Sequence, residues 1–363
     1  MYESLGQNIA KRLEAKGSPA AGGDTPMHQD TVRRLTSVKD YDGLLDAVAA
    51  LEALVAAYIG LELTRYDWTK PIAGQTDRSG TIANYARIIF DTYRMVTSGA
   101  AKSIAAPTGD LATVVGRIRI VKDAPGMDTK PVQELMAAVR DYIVLSLWIA
   151  ARSGPGQKLV AGLARNNATL ALRIIYKGGF TSLLAFPAGP GAYGKAAGPV
   201  PDSADTTTRL SAVTAGDGAG SEMGAPVWTD TEPSAPELLA ATFKRQTVDE
   251  ALSKILMGSL SFTRDRSPFF TPARLELLHE IIHVLHNAQG INREKVPGFT
   301  QEEHDAWHNA EEYWTTAGPE VNENDFNATV GLPDRHGHGG LPLAGLTPTS
   351  EDARSSLRRH AGF

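Results

Sequence analysis

His279-Glu280-Ile281-Ile282-His283 is the stretch of this chain whose residue types and spacing point most directly to chemistry. On a helix, residues four apart share a face with Cβ atoms about 5–6 Å apart, so His279 and His283 can hold one metal ion between them. Glu280 then stands beside the ion and can take a proton from a water polarised there. This is the hydrolytic core of a zinc peptidase, with one Zn²⁺ per chain. Cysteine is absent, which excludes disulfides, thiol catalysis and cysteine-based zinc sites. Any metal must therefore be held by imidazoles and carboxylates.

The pentad lies in a run that reads as a buried helix, with Leu275, Leu277, Leu278, Ile281, Ile282, Val284 and Leu285 around it. Two histidines and a glutamate are costly to bury in such a helix unless they are paired or metal-bound. The third ligand decides the class. An all-histidine metzincin site needs glycine three residues after His283 and histidine six after it, but those positions hold His286 and Gln289. The alternative is a carboxylate from a second helix. The polar stretch Thr300 to Thr316 offers Glu302, Glu303, His304, Asp305, His308, Glu311 and Glu312, and spacing alone leaves the last three equivalent. A fourth protein ligand would leave no open position for water, so His286 is expected to pack against or support the ligands.

The run from His279 to His286, followed by Gly290-Ile291, resembles the active helix of clostridial neurotoxin light chains, which also carries a third histidine. Glu311-Glu312-Tyr313-Trp314-Thr315 is similar to the Glu-Glu-x-x-Thr stretch of that family. The same two blocks occur in NleD-like effector peptidases, there followed by an Asn-containing segment and a Gly-Leu-Pro-x-Arg element. Glu323-Asn324 and Gly331-Leu332-Pro333-Asp334-Arg335 keep that order. The resemblance to the NleD-like family spans roughly Leu277 to Gly340.

Carried over by position, the resemblance implies that Glu312 is the third zinc ligand and that Glu311 orients a ligand histidine through its free ring nitrogen. The neurotoxins' Arg-x-x-Tyr pair, which stabilises the oxyanion, would correspond to Arg335 and His338, with histidine where that family has tyrosine. The implied function is cleavage of a specific protein substrate in the cytoplasm of a target or host cell. The protein would be a bacterial effector or toxin, exported without a cleaved signal peptide and served by a secretion chaperone or delivery machinery. A zinc hydrolase of other or self-processing specificity, and a catalytically inactive effector that binds a host protein, are the alternatives.

The remaining histidines are expected away from the chemistry: His304 and His308 on the surface of a polar helix, His28 and His360 in unstructured contexts. His336 is an alternative to His338.

Periodicity sets the elements that must carry these residues. Gln7 to Leu13 reads as a short helix. Tyr41 to Tyr66, Thr81 to Met95 and Lys130 to Ala151 read as longer helices, the first capped by Asp40 or Asp42. The β-branched run Ala112 to Val121 predicts a strand, and Gly154-Pro155-Gly156 predicts a break. Ala168 to Tyr176 and Thr181 to Phe186 read as a hairpin through Lys177 to Phe180. Pro187 to Pro236 is a Gly/Pro-rich linker with a short extended piece at Ala225 to Trp228. Helical periodicity resumes at Glu237 to Lys244 and Val248 to Met257. Thr271 and Pro272 are the expected N-cap and first position of the active helix. Thr300 with Glu303 resembles a capping box. The chain beyond Gly318-Pro319 reads as loop.

The fold class expected is α+β: a zincin-type metallopeptidase catalytic domain over residues 237–345, preceded by a mainly α-helical N-terminal region. That region is 1–153, the strand pair and linker are 154–236, and the tail is 346–363. With 363 residues, 42% hydrophobic and 21% charged, the composition is that of a globular protein. A net charge of −5 leaves no footprint for nucleic acid or an anionic membrane. No run of eighteen apolar residues occurs, so membrane insertion is not expected.

Overall fold

The computed structural model describes residues 1–16, 25–67, 75–76, 78, 79–98, 106–120, 130–168, 170–177, 180–187, 221–223, 258–265, 267–289, 307, 310–337 and 341–342. In chain order the elements begin with α1 (Tyr2–Lys16), α2 (Pro26–Thr36), α3 (Tyr41–Leu63), α4 (Ser79–Thr97) and α5 (Gly109–Gly116). There follow β1 (Ile118–Ile120), α6 (Lys130–Ala151), α7 (Gly154–Arg165), β2 (Leu170–Lys177), β3 (Phe180–Pro187) and β4 (Ser221–Met223). The last are β5 (Ser259–Phe262), β6 (Pro268–Thr271), α8 (Ala273–Gln289), α9 (Ala310–Ala317), α10 (Glu323–Thr329) and β7 (Leu341–Pro342).

Two compact units share these elements, and both are discontinuous in sequence. The first comprises Met1–Ala106, Met257–Pro272 and Phe326–Phe363. Its centre is α3, in contact with α1, α2, α4 and β6. Asp40 caps α3 by accepting from the Gly43 N–H at 2.7 Å. Leu44, Leu45, Val48, Leu51, Val55 and Ile59 are all fully buried along it, each contributing on the order of 1.5–3 kcal/mol. Glu52, also buried, accepts a hydrogen bond from the Tyr93 hydroxyl of α4. Among the described residues, α3 is the one helix long and apolar enough to cross a membrane by length and composition. An antiparallel sheet in the order β6-β5-β7 completes this unit.

The second unit comprises Pro107–Leu256 and Ala273–Asp325. Its sheet runs β1-β2-β3-β4: β1 is parallel to β2, and the remaining pairs are antiparallel. The β2–β3 register pairs Lys177 with Phe180, as a two-residue hairpin requires. Helix α8 lies against β3 and β4 and also touches α6, α7 and α9. This explains why its apolar residues are distributed around the whole circumference: Leu275, Leu278, Ile282 and Val284 are each fully buried.

Several expectations are corrected. Residues 112–116 belong to α5 and not to a strand; among the described residues the strand here is Ile118–Ile120, and Val121 lies outside them. Leu111 and Val114, three apart, turn one buried face inward, and that packing outweighs the β-branched preference. Gly154-Pro155-Gly156 opens α7: Ser153 is the N-cap, its hydroxyl accepts from Gly156 N–H at 3.3 Å, and proline sits in the first turn. Thr271 does not cap α8. It ends β6 and donates its hydroxyl to Ser261 at 2.7 Å, and the helix begins at Ala273. The loop expected after Pro319 contains α10, capped by Asn322, whose Oδ1 accepts from Asp325 N–H at 2.9 Å. A strand at Ser221–Met223 takes the place in the linker that Ala225 to Trp228 was expected to fill; those four residues lie outside the described ones. Residues 237–257 and 300–306 also lie outside them.

The turn from α6 into α7 is tight at one point. A Cβ added at Gly156 would stand 1.8 Å from the Ala150 carbonyl oxygen, whereas one at Gly154 meets nothing within 4 Å. Gly156→Ala is therefore expected to cost about 1–3 kcal/mol, seen as a lowered melting temperature. Gly154→Ala should melt close to wild type, and equal melting of the two variants would contradict the packing described.

Candidate metal centre

Two turns of α8 and the buried face of α9 bring the site together within the second unit. His279 and His283 are 2% and 6% exposed, and Glu311 and Glu312 are 4% and 6% exposed. Nε2 of His279 lies 3.1 Å from Nε2 of His283. Glu312 Oε2 is 3.1 Å from the former and 3.2 Å from the latter. Three ligand atoms thus form a nearly equilateral triangle.

The opposite ring nitrogens determine what this triangle means. His279 Nδ1 donates to Glu323 Oε2 at 2.8 Å. His283 Nδ1 lies 3.1 Å from both Glu311 Oε1 and the Thr315 hydroxyl, and donates to them. Thr315 in turn donates to Glu311 Oε1 at 3.1 Å. With both Nδ1 protons engaged by acceptors, each neutral ring turns an Nε2 lone pair inward, toward the other and toward a carboxylate oxygen. Three converging acceptors repel one another unless a proton or a cation sits among them. Tetrahedral zinc, with bonds of about 2.0–2.1 Å, sets its ligands about 3.3–3.4 Å apart. The donor set and its spacing therefore fit zinc, with His279, His283 and Glu312 as the residues that would hold it.

Sequence reasoning left the Glu311–Glu312 register to the resemblance, and the geometry separates the two. Glu312 joins the triangle. Glu311 Oε1 instead collects His283 Nδ1, Thr315 and His286 Nδ1, the last at 2.6 Å. His286, 1% exposed, is thus tied to the ligand histidine through one carboxylate. Glu280 follows His279 on α8 and is half-buried.

Glu323 is the site residue that sequence reasoning did not single out. It is fully buried at the first position of α10, forty-four residues from the imidazole it holds. In the sequence it enters only through the Glu323-Asn324 block of the resemblance, with no role attached, and an acidic residue after a capping asparagine says nothing about a distant partner.

Arg335 belongs to the first unit. It is 8% exposed and donates its Nε–H to the Gly337 carbonyl at 3.0 Å. The neighbouring His336 N–H donates to Phe262 O at 2.7 Å, tying this segment to β5, and its side chain is exposed. His338, His304, His308 and His360 lie outside the described residues. His28 is not in an unstructured context: it lies on α2, with Nδ1 2.5 Å from the Tyr58 hydroxyl.

Compared with protein-family models, curated proteins and solved structures, the chain has no match. The resemblance to the NleD-like peptidases therefore stands on the motif residues alone.

Burial by itself would lower the histidine pKa values, but the carboxylates overcome it. His279 is raised from 6.5 to about 9 by Glu312 and Glu323, and His283 is raised well above its usual value by Glu312 and Glu311. Glu311, which burial alone would raise, is held down at about 2 by His283 and His286. In the metal-free protein the histidine contribution to stability is fully present below about pH 6.5 and is lost as pH rises through about 9. The Glu311 contribution is present above about pH 4.5 and is lost as pH falls toward 2. Thermal melting with chelator should show highest stability between these limits. Zinc should remove the alkaline decline and release protons on binding. A flat metal-free profile from pH 6.5 to 9 would contradict the assignment.

Glu312→Ala should abolish stoichiometric zinc binding. Glu311→Ala and Glu323→Ala, which leave the triangle intact, should weaken it about 10–100-fold. Competition with a chromophoric chelator measures both, and a reversed order would mean that the two glutamates of α9 have been exchanged.

Proposed function

We propose that this chain is a zinc-dependent endopeptidase with a zincin-type α+β catalytic domain, similar to the NleD-like effector peptidases. On this reading it is a bacterial effector or toxin acting on a specific protein in the cytoplasm of a target cell. The observation that carries the enzymatic part is the convergence of His279 Nε2, His283 Nε2 and Glu312 Oε2 at 3.1–3.2 Å, with Glu280 next in sequence to the first of them. The motif order from His279 to Arg335 supports the family part.

Zinc, when bound, supplies Lewis-acid polarisation and lowers the pKa of water to about 7. Everything else is done by the chain's own groups. Glu323, Glu311 and Thr315 hold the Nδ1 protons, so both imidazoles stay in the tautomer whose Nε2 is available. Glu280 accepts a proton from the attacking water as the carbon–oxygen bond forms, then returns it to the amide nitrogen as the carbon–nitrogen bond breaks. The amide nitrogen gains one water proton by way of Glu280, the new carboxylic acid gives up the other to the amine, and the products are a carboxylate and an ammonium.

Glu280→Ala is expected to keep zinc and lower peptide hydrolysis by about 10²–10⁴-fold. A broad peptide-library digest, and a comparison of cleaved proteins in target cells receiving wild-type or Glu280→Ala protein, test this. Wild-type protein without stoichiometric zinc, or full cleavage by the variant, would overturn the reading.

A further inference from the structure

A cavity of about 600 Å³ opens within the second unit between α7, the C-terminal end of α8 and the connection into α10. Lys158 and Arg165 of α7 line one side, Glu320 and Asp325 belong to the segment running into α10, and α8 contributes His286 and Gln289. Gln289 is nine positions after Glu280, which places it about 180° away around α8. The cavity therefore lies on the side of the helix away from Glu280 and is not the place where a scissile bond would meet it.

Lys158 and Arg165 on one element and Asp325 on another can be bridged by a ligand from outside. Lys158, Gly162 and Arg165 form one stripe of α7, about 10 Å long. Gly162 permits the close approach of α8, because a Cβ there would meet Leu285 Cδ1 at 3.0 Å. Among the described residues, neither Lys158 nor Arg165 forms an ion pair, and none joins either of them to Asp325. A simple anion in the cavity would face the carboxylates, and a simple cation would face Lys158 and Arg165. A ligand carrying both charges meets each set with its opposite, in a cleft that strengthens such fields relative to open surface. Helix α8 adds a third feature. His286 is 1% exposed, its Nδ1 is committed to Glu311, and its Nε2 has no hydrogen-bond partner among the described residues.

We propose that this cavity binds a short peptide with free termini, its carboxylate toward Lys158 and Arg165 and its ammonium toward Asp325, in contact with His286. A free amino acid offers the same two charges only a few ångströms apart. A tripeptide, extending up to about 3.3–3.6 Å per residue, separates its two charges further and suits a cavity of about 600 Å³ better than a single amino acid does. Contact with His286 places the ligand one carboxylate away from His283, since Glu311 Oε1 accepts from both rings. The binding itself is independent of the peptidase reading; its link to the metal centre rests on that reading.

The full-length protein, stripped of metal by a chelator, is titrated calorimetrically with triglycine, with glycine, and with triglycine acetylated and amidated at its ends. Triglycine should bind saturably at about 1 mM, and glycine and the blocked peptide at least about tenfold more weakly. Lys158→Gln with Arg165→Gln, and separately Asp325→Asn, all at exposed positions, should each weaken triglycine about tenfold or more. With ¹⁵N-histidine label, triglycine should shift the His286 and His283 ring signals and leave that of His28 in place. Absence of saturable triglycine binding, equal binding of the blocked peptide, unchanged affinity in both variants, or an unmoved His286 signal would each overturn the proposal. Because no zinc or cleavage is involved, failure here is separable from failure of the peptidase reading.

Discussion

Three lone pairs aimed at one point, from His279, His283 and Glu312, are the constraint around which the second unit is built. Such an arrangement is unfavourable in a dry interior unless a positive charge fills it. A metal ion and protons are the two available fillers, and they compete for the same atoms. The raised histidine pKa values of the metal-free protein express that competition, because the carboxylates stabilise protons where a cation would otherwise sit. Glu311, Glu312 and Glu323 together place three buried carboxylates against three buried histidines, so the charge of each group is met locally.

The supporting groups explain why the triangle has a defined shape. Glu323 reaches His279 from α10, and Glu311 and Thr315 reach His283 from α9, so each ring is held from a different direction. Ring rotation would break those hydrogen bonds inside a site where their replacement by water is excluded. Glu311 has a second function, because it also accepts from His286. It therefore connects the face of α8 that carries the ligands with the face that borders the cavity.

Much of this was legible in advance. His279 and His283 share a helix face by spacing, the absence of glycine and histidine after them removed the all-histidine class, and Glu311-Glu312 stood as neighbours in a short list of carboxylates. Misreadings came where local preference and tertiary packing disagree. Val114 and Val115 favour a strand by side-chain branching, yet one buried face against α7 makes this segment helical. Gly154-Pro155-Gly156 resembles a break, yet a serine cap and a proline in the first turn start a helix there. Asn322 to Asp325 resembles a polar loop until its capping hydrogen bond is seen.

What the sequence determined by itself was the chemistry that α8 can carry, since four-residue spacing on a helix is a local property that no distant contact can alter. What only the tertiary structure decided was which carboxylate points where. Glu311 and Glu312 are adjacent and about 100° apart on α9. Which of them meets the Nε2 lone pairs depends on how α9 packs against α8. Glu323 depended on it entirely: its carboxylate and the His279 ring are forty-four residues apart, and only the folded chain brings them to 2.8 Å.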